Sequence, residues 1–324
     1  MVLCVVLLFV IVSAYPPPVQ IKDEIQILQN VTKNSIIQNH MKYTKRDTNR
    51  HGIPIYARVA KYHERTQTTL PIFAHKFKGI FFEEIVIRSI NDKIVIQDNN
   101  PYKKVVFNAS NYVVLKTELD YITFSEDIYR ELWGFLSFYQ GVLFDSTIPT
   151  DFVVQATNKF PKMFDSFKLI TTDDDPKPFL RICKAVFIDT QFYDKRAVSY
   201  QPLQPLAWIE NSYNLKFDSS IKNGGFVLDF EGKTYCKHST THTANTAFLL
   251  FIKKLNVTFT YHKASHEHSC EAEIKSDKFM DDFCTTNYPT PFSINEKLGL
   301  AQKINCSVLC SDFGAALDFF FDVL

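Results

Sequence analysis

No cysteine lies between Cys4 and Cys183 in this chain of 324 residues, and six follow: Cys183, Cys236, Cys270, Cys284, Cys306 and Cys310. That distribution constrains the fold more than any other feature. The first half has to be held by its apolar core alone, whereas the second half can be cross-linked. An even number of cysteines beyond a secretory leader reads as three disulfides of open pairing. Cys306 and Cys310 are separated by three residues, which is not the spacing of a redox pair.

The leader is residues 1–14, an uncharged apolar run with the small residues Val12 and Ala14 where a signal peptidase would need them. It is shorter than the roughly 20 residues of a spanning helix, and Pro16, Pro17 and Pro18 follow at once. The expectation is a secreted, extracellular protein with no stable membrane insertion after cleavage. Four acceptor sequons agree with that compartment and mark Asn30, Asn108, Asn256 and Asn305 as glycosylation sites.

Along the mature chain, residues 15–66 are polar and basic in patches, and Lys45-Arg46 offers a dibasic processing site. Residues 67–170 form a cysteine-free unit. Its apolar, β-branched runs between Ile80 and Phe124, broken by Asn91-Asp92 and Asn99-Asn100-Pro101, predict a β-meander. Ile128, Leu132, Phe135, Leu136, Tyr139 and Leu143 recur at three and four, predicting one long helix capped by Ser125 or by Thr123 with Glu126. A second short helix is expected over 151–160. Residues 171–178, acidic and proline-bearing, read as the linker, and their three consecutive Asp lack the spacing of a calcium loop.

Residues 179–324 read as a disulfide-stapled unit. Strands are expected at 182–188, 213–217, 226–231, 256–262 and 270–274, and helices at 244–254, 276–283 and 294–303. The fold class expected is α+β, with antiparallel sheets and helices packed on one face, in two units.

Composition narrows the functions. Lys and Arg number 36 against 35 Asp and Glu, a net charge of +1, which removes the excess of cations that nucleic-acid backbone binding needs. Only 9 Gly are present and no phosphate-cradling glycine string occurs. The histidines cluster instead: His238 and His242 follow Cys236, and His262, His266 and His268 precede Cys270. Converging imidazoles would suit Zn or Cu. The plainer alternative is a Cys236–Cys270 disulfide with exposed histidines around it and no cofactor. His266-Glu267-His268 lacks the second helical histidine of a metalloprotease. The adjacent carboxylates Glu83-Glu84 and Asp281-Asp282 should point apart, so no catalytic residue is named.

The run Phe226 to Tyr235, the apolar Ala247 to Lys254 and the strand-like Asn256 to Tyr261 resemble the secreted nuclear transport factor two-like domains of nematodes. The resemblance implies a cone-shaped α+β fold around an apolar pocket, and no fixed catalytic residues. With 30 Phe in the chain, the function expected is binding without catalysis, of an extracellular protein or of a small apolar ligand in a Phe-lined cavity. The alternative is a secreted hydrolase or metal-dependent enzyme built on the histidine cluster.

Overall fold

Alternation along the short apolar strands decides the architecture. In β1 (Ile55–Val59), residues 55, 57 and 59 face one apolar layer while Tyr56 faces another, and every described residue of the strand is buried. The same two-sided burial recurs in β4 (Ser110–Thr117), β5 (Gly141–Phe144), β6 (Asp165–Ile170), β7 (Ala185–Ile188), β8 (Gly224–Leu228) and β14 (Ser307–Cys310). Strands covered on both faces belong to parallel sheets wrapped by helices. The computed structural model shows that arrangement, and describes residues 51–59, 70, 74–91, 93–100, 109–191, 202–236, 239–243, 258–276, 279–289 and 291–311.

The parallel strands run in the order β1, β2 (Gly79–Ile90), β4, β5, β6, β7, β8, β14, and β14 pairs back to β1, so the sheet closes. It is an eight-stranded parallel barrel. β3 (Lys93–Asp98) adds an antiparallel edge to the overhanging end of β2. Helices α1 (Glu126–Leu136) and α2 (Thr150–Lys159) follow β4 and β5, α3 (Leu206–Lys216) follows β7, and α4 (Pro291–Lys303) precedes β14. Ser125 caps α1, its hydroxyl accepting from the Ile128 amide, as the sequence predicts.

Two apolar layers result. The outer one lies between strands and helices; the inner one fills the lumen with Tyr56, Phe81, Tyr112, Phe167 and Phe187 beside smaller side chains. Ring centroids there lie 4.8 to 6.5 Å apart, so the lumen is a packed core and not a pore. Two glycines make room for these rings: a Cβ at Gly79 would meet Tyr112, and one at Gly225 would meet Phe187.

Between β8 and α4 a second sheet is inserted. β9 (Gly232–Cys236), β10 (Ser239–Thr243), β11 (Thr258–His262), β12 (Glu267–Ser276) and β13 (Phe279–Tyr288) pair antiparallel in the order β10-β9-β13-β12-β11. A buried ion pair ties it to the barrel: Lys297 of α4 lies 2.9 Å from Glu267, whose two oxygens also accept from the amides of Leu203 and Gln204. The carboxylate is thus fully used in holding three segments together.

The expected two-unit α+β fold of antiparallel sheets is therefore replaced. Antiparallel pairing is confined to β3 and the insertion, and the predicted meander fails because β4 runs parallel to β2. The cone-shaped fold implied by the transport-factor resemblance is not found. Residues 171–178 do not separate two units; they join β6 to β7, hydrogen-bonded neighbours in one barrel. Residues 213–217, expected as a strand, lie at the end of α3, and 279–283, expected in a helix, begin β13. The signal peptide, Lys45-Arg46, Asn30, Asn108, Asn256, His238 and the helix at 244–254 lie outside the described residues. No described helix is long and apolar enough to cross a membrane.

Candidate active site at the barrel mouth

In a closed parallel barrel the C-terminal strand ends form one rim, and inward-facing residues there meet above the packed lumen. Continuing the inward alternation past the aromatic layer places Arg58 on β1, Glu83 on β2, Lys116 on β4 and Asp145 just after β5 on that rim. They do meet. The Arg58 guanidinium donates to Glu83 at 2.6 and 2.8 Å, and its Nη2 lies 3.4 Å from Asp145. Lys116 lies 3.2 Å from Glu83 and 2.8 Å from Glu84. Burial pulls the Lys116 pKa down, but the Glu83 and Glu84 charges outweigh it and hold the ammonium above its ordinary value.

Glu83 and Glu84 should face opposite sides of a regular strand. The register of β2 against β4 shifts between Phe82 and Ile85, and this irregularity brings both carboxylates onto Lys116. The peptide between them is cis. Glu83 and Asp145 then share one guanidinium nitrogen, at 2.6 and 3.4 Å, so the two oxygens are at most 6.0 Å apart, the sum of those distances.

Asp145 is set by its own turn. The Ile148 amide donates to the Asp145 carbonyl at 3.0 Å, the Thr147 amide to the Asp145 carboxylate at 3.3 Å, and the Asp145 amide to Leu115 on the neighbouring strand. Thr147 in turn accepts from the Thr117 amide. Across the rim, Gln191 donates to the Ser311 hydroxyl at 2.7 Å and Ser311 to Asp229 at 3.2 Å. The Gln204 side chain bonds the carbonyls of Thr190 and Val227 and the amide of Asp229, closing the strand ends.

The sequence-predicted site residues lie elsewhere, in the insertion. His262 bonds Ser269 at 2.7 Å, and His266, in a turn with φ +57°, lies 3.3 Å from Glu296. His242 sits on β10 and His262 on β11, at opposite edges of the inserted sheet. Four strand steps separate them, roughly 19 Å at about 4.8 Å each, too far for one ion. His268 pairs in register with Tyr261 and Tyr288. Among the described residues no three His, Cys, Asp or Glu gather as metal ligands would.

The cysteines also depart from expectation. Cys236 and Cys284, directly paired on β9 and β13, form a disulfide. This displaces the Cys236–Cys270 alternative. Cys183, Cys270, Cys306 and Cys310 are buried thiols, and burial pushes those of Cys183 and Cys270 up to about 12. Cys306 and Cys310 cannot bridge, because four residues of extended chain span about 13 Å and a disulfide requires Cα atoms within about 7 Å. Asn305 is exposed at a positive φ of 53°. The Phe residues of the lumen fill it instead of lining a cavity; an open surface hollow of about 770 Å³ is lined by Asp175, Lys177, Arg181 and Lys222 together with Leu180, Ile182 and Ile221, and by no Phe.

No protein-family model and no curated protein matches the sequence. Solved structures do match the fold. The spore cortex-lytic enzyme SleL of Bacillus cereus superposes with a TM-score of 0.69 at 10% identity, over 84% of this chain and 73% of that one. A chitinase from Chromobacterium violaceum gives 0.65 at 12% identity, over 84% and 98%. A class V chitinase of Nicotiana tobaccum, a mutant form in complex with NAG4, gives 0.60 at 9% identity, over 83% and 96%. These likenesses establish the barrel fold. All three of these neighbours bear the names of glycan-cleaving enzymes, so the comparisons do not favour the expectation of binding without catalysis.

Proposed function

We propose that this chain is a secreted glycan hydrolase whose site is the barrel mouth, with Glu83 and Asp145 as its carboxylate pair. The observation that carries the reading is their shared contact with Arg58, which limits the separation of their oxygens to 6.0 Å. Retaining glycosidases hold their two carboxyl groups about 5 to 5.5 Å apart and inverting ones about 6.5 to 9.5 Å, so the spacing favours retention. The likeness in fold to a cortex-lytic enzyme and to chitinases, one of them bound to NAG4, supports oligomers of N-acetylated amino sugars as the substrate class.

Glu83, gripped by Arg58 and Lys116, supplies the negative charge facing the sugar carbon as it turns cationic and bonds that carbon as its bond to the leaving oxygen breaks, until water displaces the carboxylate. Asp145 has the single, longer Arg58 contact and takes the proton-transfer role, protonating the leaving oxygen and then taking a proton from the attacking water. Asp145→Asn and Glu83→Gln are each expected to lower kcat on such oligomers by about 10² or more, as loss of a general acid or of a charge stabiliser does. The fold should survive, as read by circular dichroism. Turnover by Asp145→Asn at the native rate would refute the assignment.

A further inference from the structure

We infer that Lys168 is a positioning residue for the mouth: from the outer side of the barrel it fixes the turn that carries Asp145 and Thr147, and so sets where the Asp145 carboxylate stands. This rests on the proposed role of Asp145 for its consequence in catalysis, though not for its effect on the turn.

Lys168 lies on β6 between the lumen residues Phe167 and Leu169, so its side chain leaves the barrel on the opposite side. In register it stands beside Phe144, the residue before Asp145. Its ammonium, in a side chain only 3% exposed, donates to the Asp145 carbonyl at 2.7 Å and to the Ile148 carbonyl at 3.0 Å. Those two carbonyls open and close the turn. The ring of Phe179 covers the ammonium at 5.6 Å. Among the described residues no carboxylate oxygen lies within 4 Å of it, so two carbonyl dipoles and a ring hold a buried cation where an apolar side chain would pack at less cost.

The groups that face this ammonium are the Asp145 carboxylate from the turn, Asp174 from the segment after β6 and the Cys183 thiol before β7. Burial lowers the lysine pKa to about 8, and these three neighbours resist that only in part. Loss of the proton leaves neutral hydrogen bonds where charge-assisted ones stood, about half as strong. The turn is therefore held firmly below about pH 8 and loosens above it. Global stability responds with the opposite sign. The unfolded lysine keeps its ordinary 10.5, so between about pH 8 and 10.5 the unfolded chain binds more protons than the folded one, and this group's contribution to folding stability rises with pH.

Hydrogen–deuterium exchange on the full mature chain, corrected for intrinsic rates, tests this between pH 6.5 and 9.5, in wild type, Lys168→Met and Lys168→Arg. Exchange at residues 145–150 is expected to rise with a midpoint near pH 8 in wild type. In Lys168→Met it should be fast at every pH, and in Lys168→Arg slow beyond pH 9. The kcat for N-acetylglucosamine oligomers should fall along the wild-type midpoint with KM little changed. Flat wild-type exchange, or the same midpoint in either variant, would overturn the inference. If Lys168→Met fails to fold, wild type and Lys168→Arg decide it. The exchange midpoint without turnover at any pH would uphold the turn-fixing role while removing the hydrolase reading.

Discussion

Arg58 decides whether Glu83 and Asp145 act as a pair, because one of its nitrogens holds an oxygen of each. Nothing local in the sequence signals this. Arg58, Glu83, Lys116 and Asp145 come from four strands, and their convergence depends on the barrel closing. Glu83-Glu84 was visible as an adjacent pair, but ordinary strand alternation sends neighbours apart, and only the register shift before Ile85 brings both to Lys116. Cysteine counting misled for a related reason: it assumes that partners can meet, whereas Cys183, Cys270, Cys306 and Cys310 are each enclosed in packed apolar layers. Alkylation followed by peptide mass mapping should recover a Cys236–Cys284 linked peptide, with the other four labelled only after unfolding. Labelling of any of the four in the native protein, or a second linked pair among them, would count against this packing.

Whole elements were more legible where their own periodicity was long. The helix over 294–303, the β2–β3 hairpin and the Ser125 cap all follow from local pattern. β5 did not, and it is the strand that leads to Asp145. Its four apolar residues follow α1 so closely that Leu143 continues the helical spacing of Leu132 and Leu136, and a four-residue run has too few positions to reveal a period of two. β6 escaped similarly, since Lys168 breaks its apolar pattern while being buried by the two carbonyls it bonds. The inserted sheet depends on Glu267, which the sequence offered only as part of a failed metalloprotease string. Glu267→Ala strands the buried Lys297 ammonium and the Leu203 and Gln204 amides. It should cost about 3 to 5 kcal/mol, read as a lower midpoint in urea unfolding. A loss below about 1 kcal/mol would mean that the insertion is held by other contacts.

At the scale of the whole molecule, the acidic proline segment at 171–178 invited a division into two units, because its composition is that of a linker. A loop between barrel strands has the same needs: polar, turn-forming and exposed. The parallel barrel itself was hidden because its strands are four to twelve residues long and separated by irregular connections, with the regular strand-helix alternation broken by β3 and by the insertion. Many of the described Phe have their explanation in the two packed layers, where Phe81, Phe167 and Phe187 fill the lumen and Phe82, Phe144 and Phe226 the shell around it. Closure has a direct consequence: residues 15–170 and 179–324 expressed separately should each lack a cooperative thermal transition, because each leaves two barrel edges unpaired and the shared core exposed. A sharp melt from either piece would restore the two-unit view.

Hydrolysis of glycans at the rim of Arg58, Glu83 and Asp145 is the claim on which the rest depends. The most direct measurement is release of reducing ends from N-acetylglucosamine oligomers by the chain produced through a eukaryotic secretory pathway, with Asp145→Asn beside it, and the anomer of the first product read by NMR. Cleavage with retention of configuration is expected from the wild type, and loss of at least about 10² in rate from the variant. Binding of the oligomers with no cleavage by the wild type, or cleavage with inversion, would contradict it.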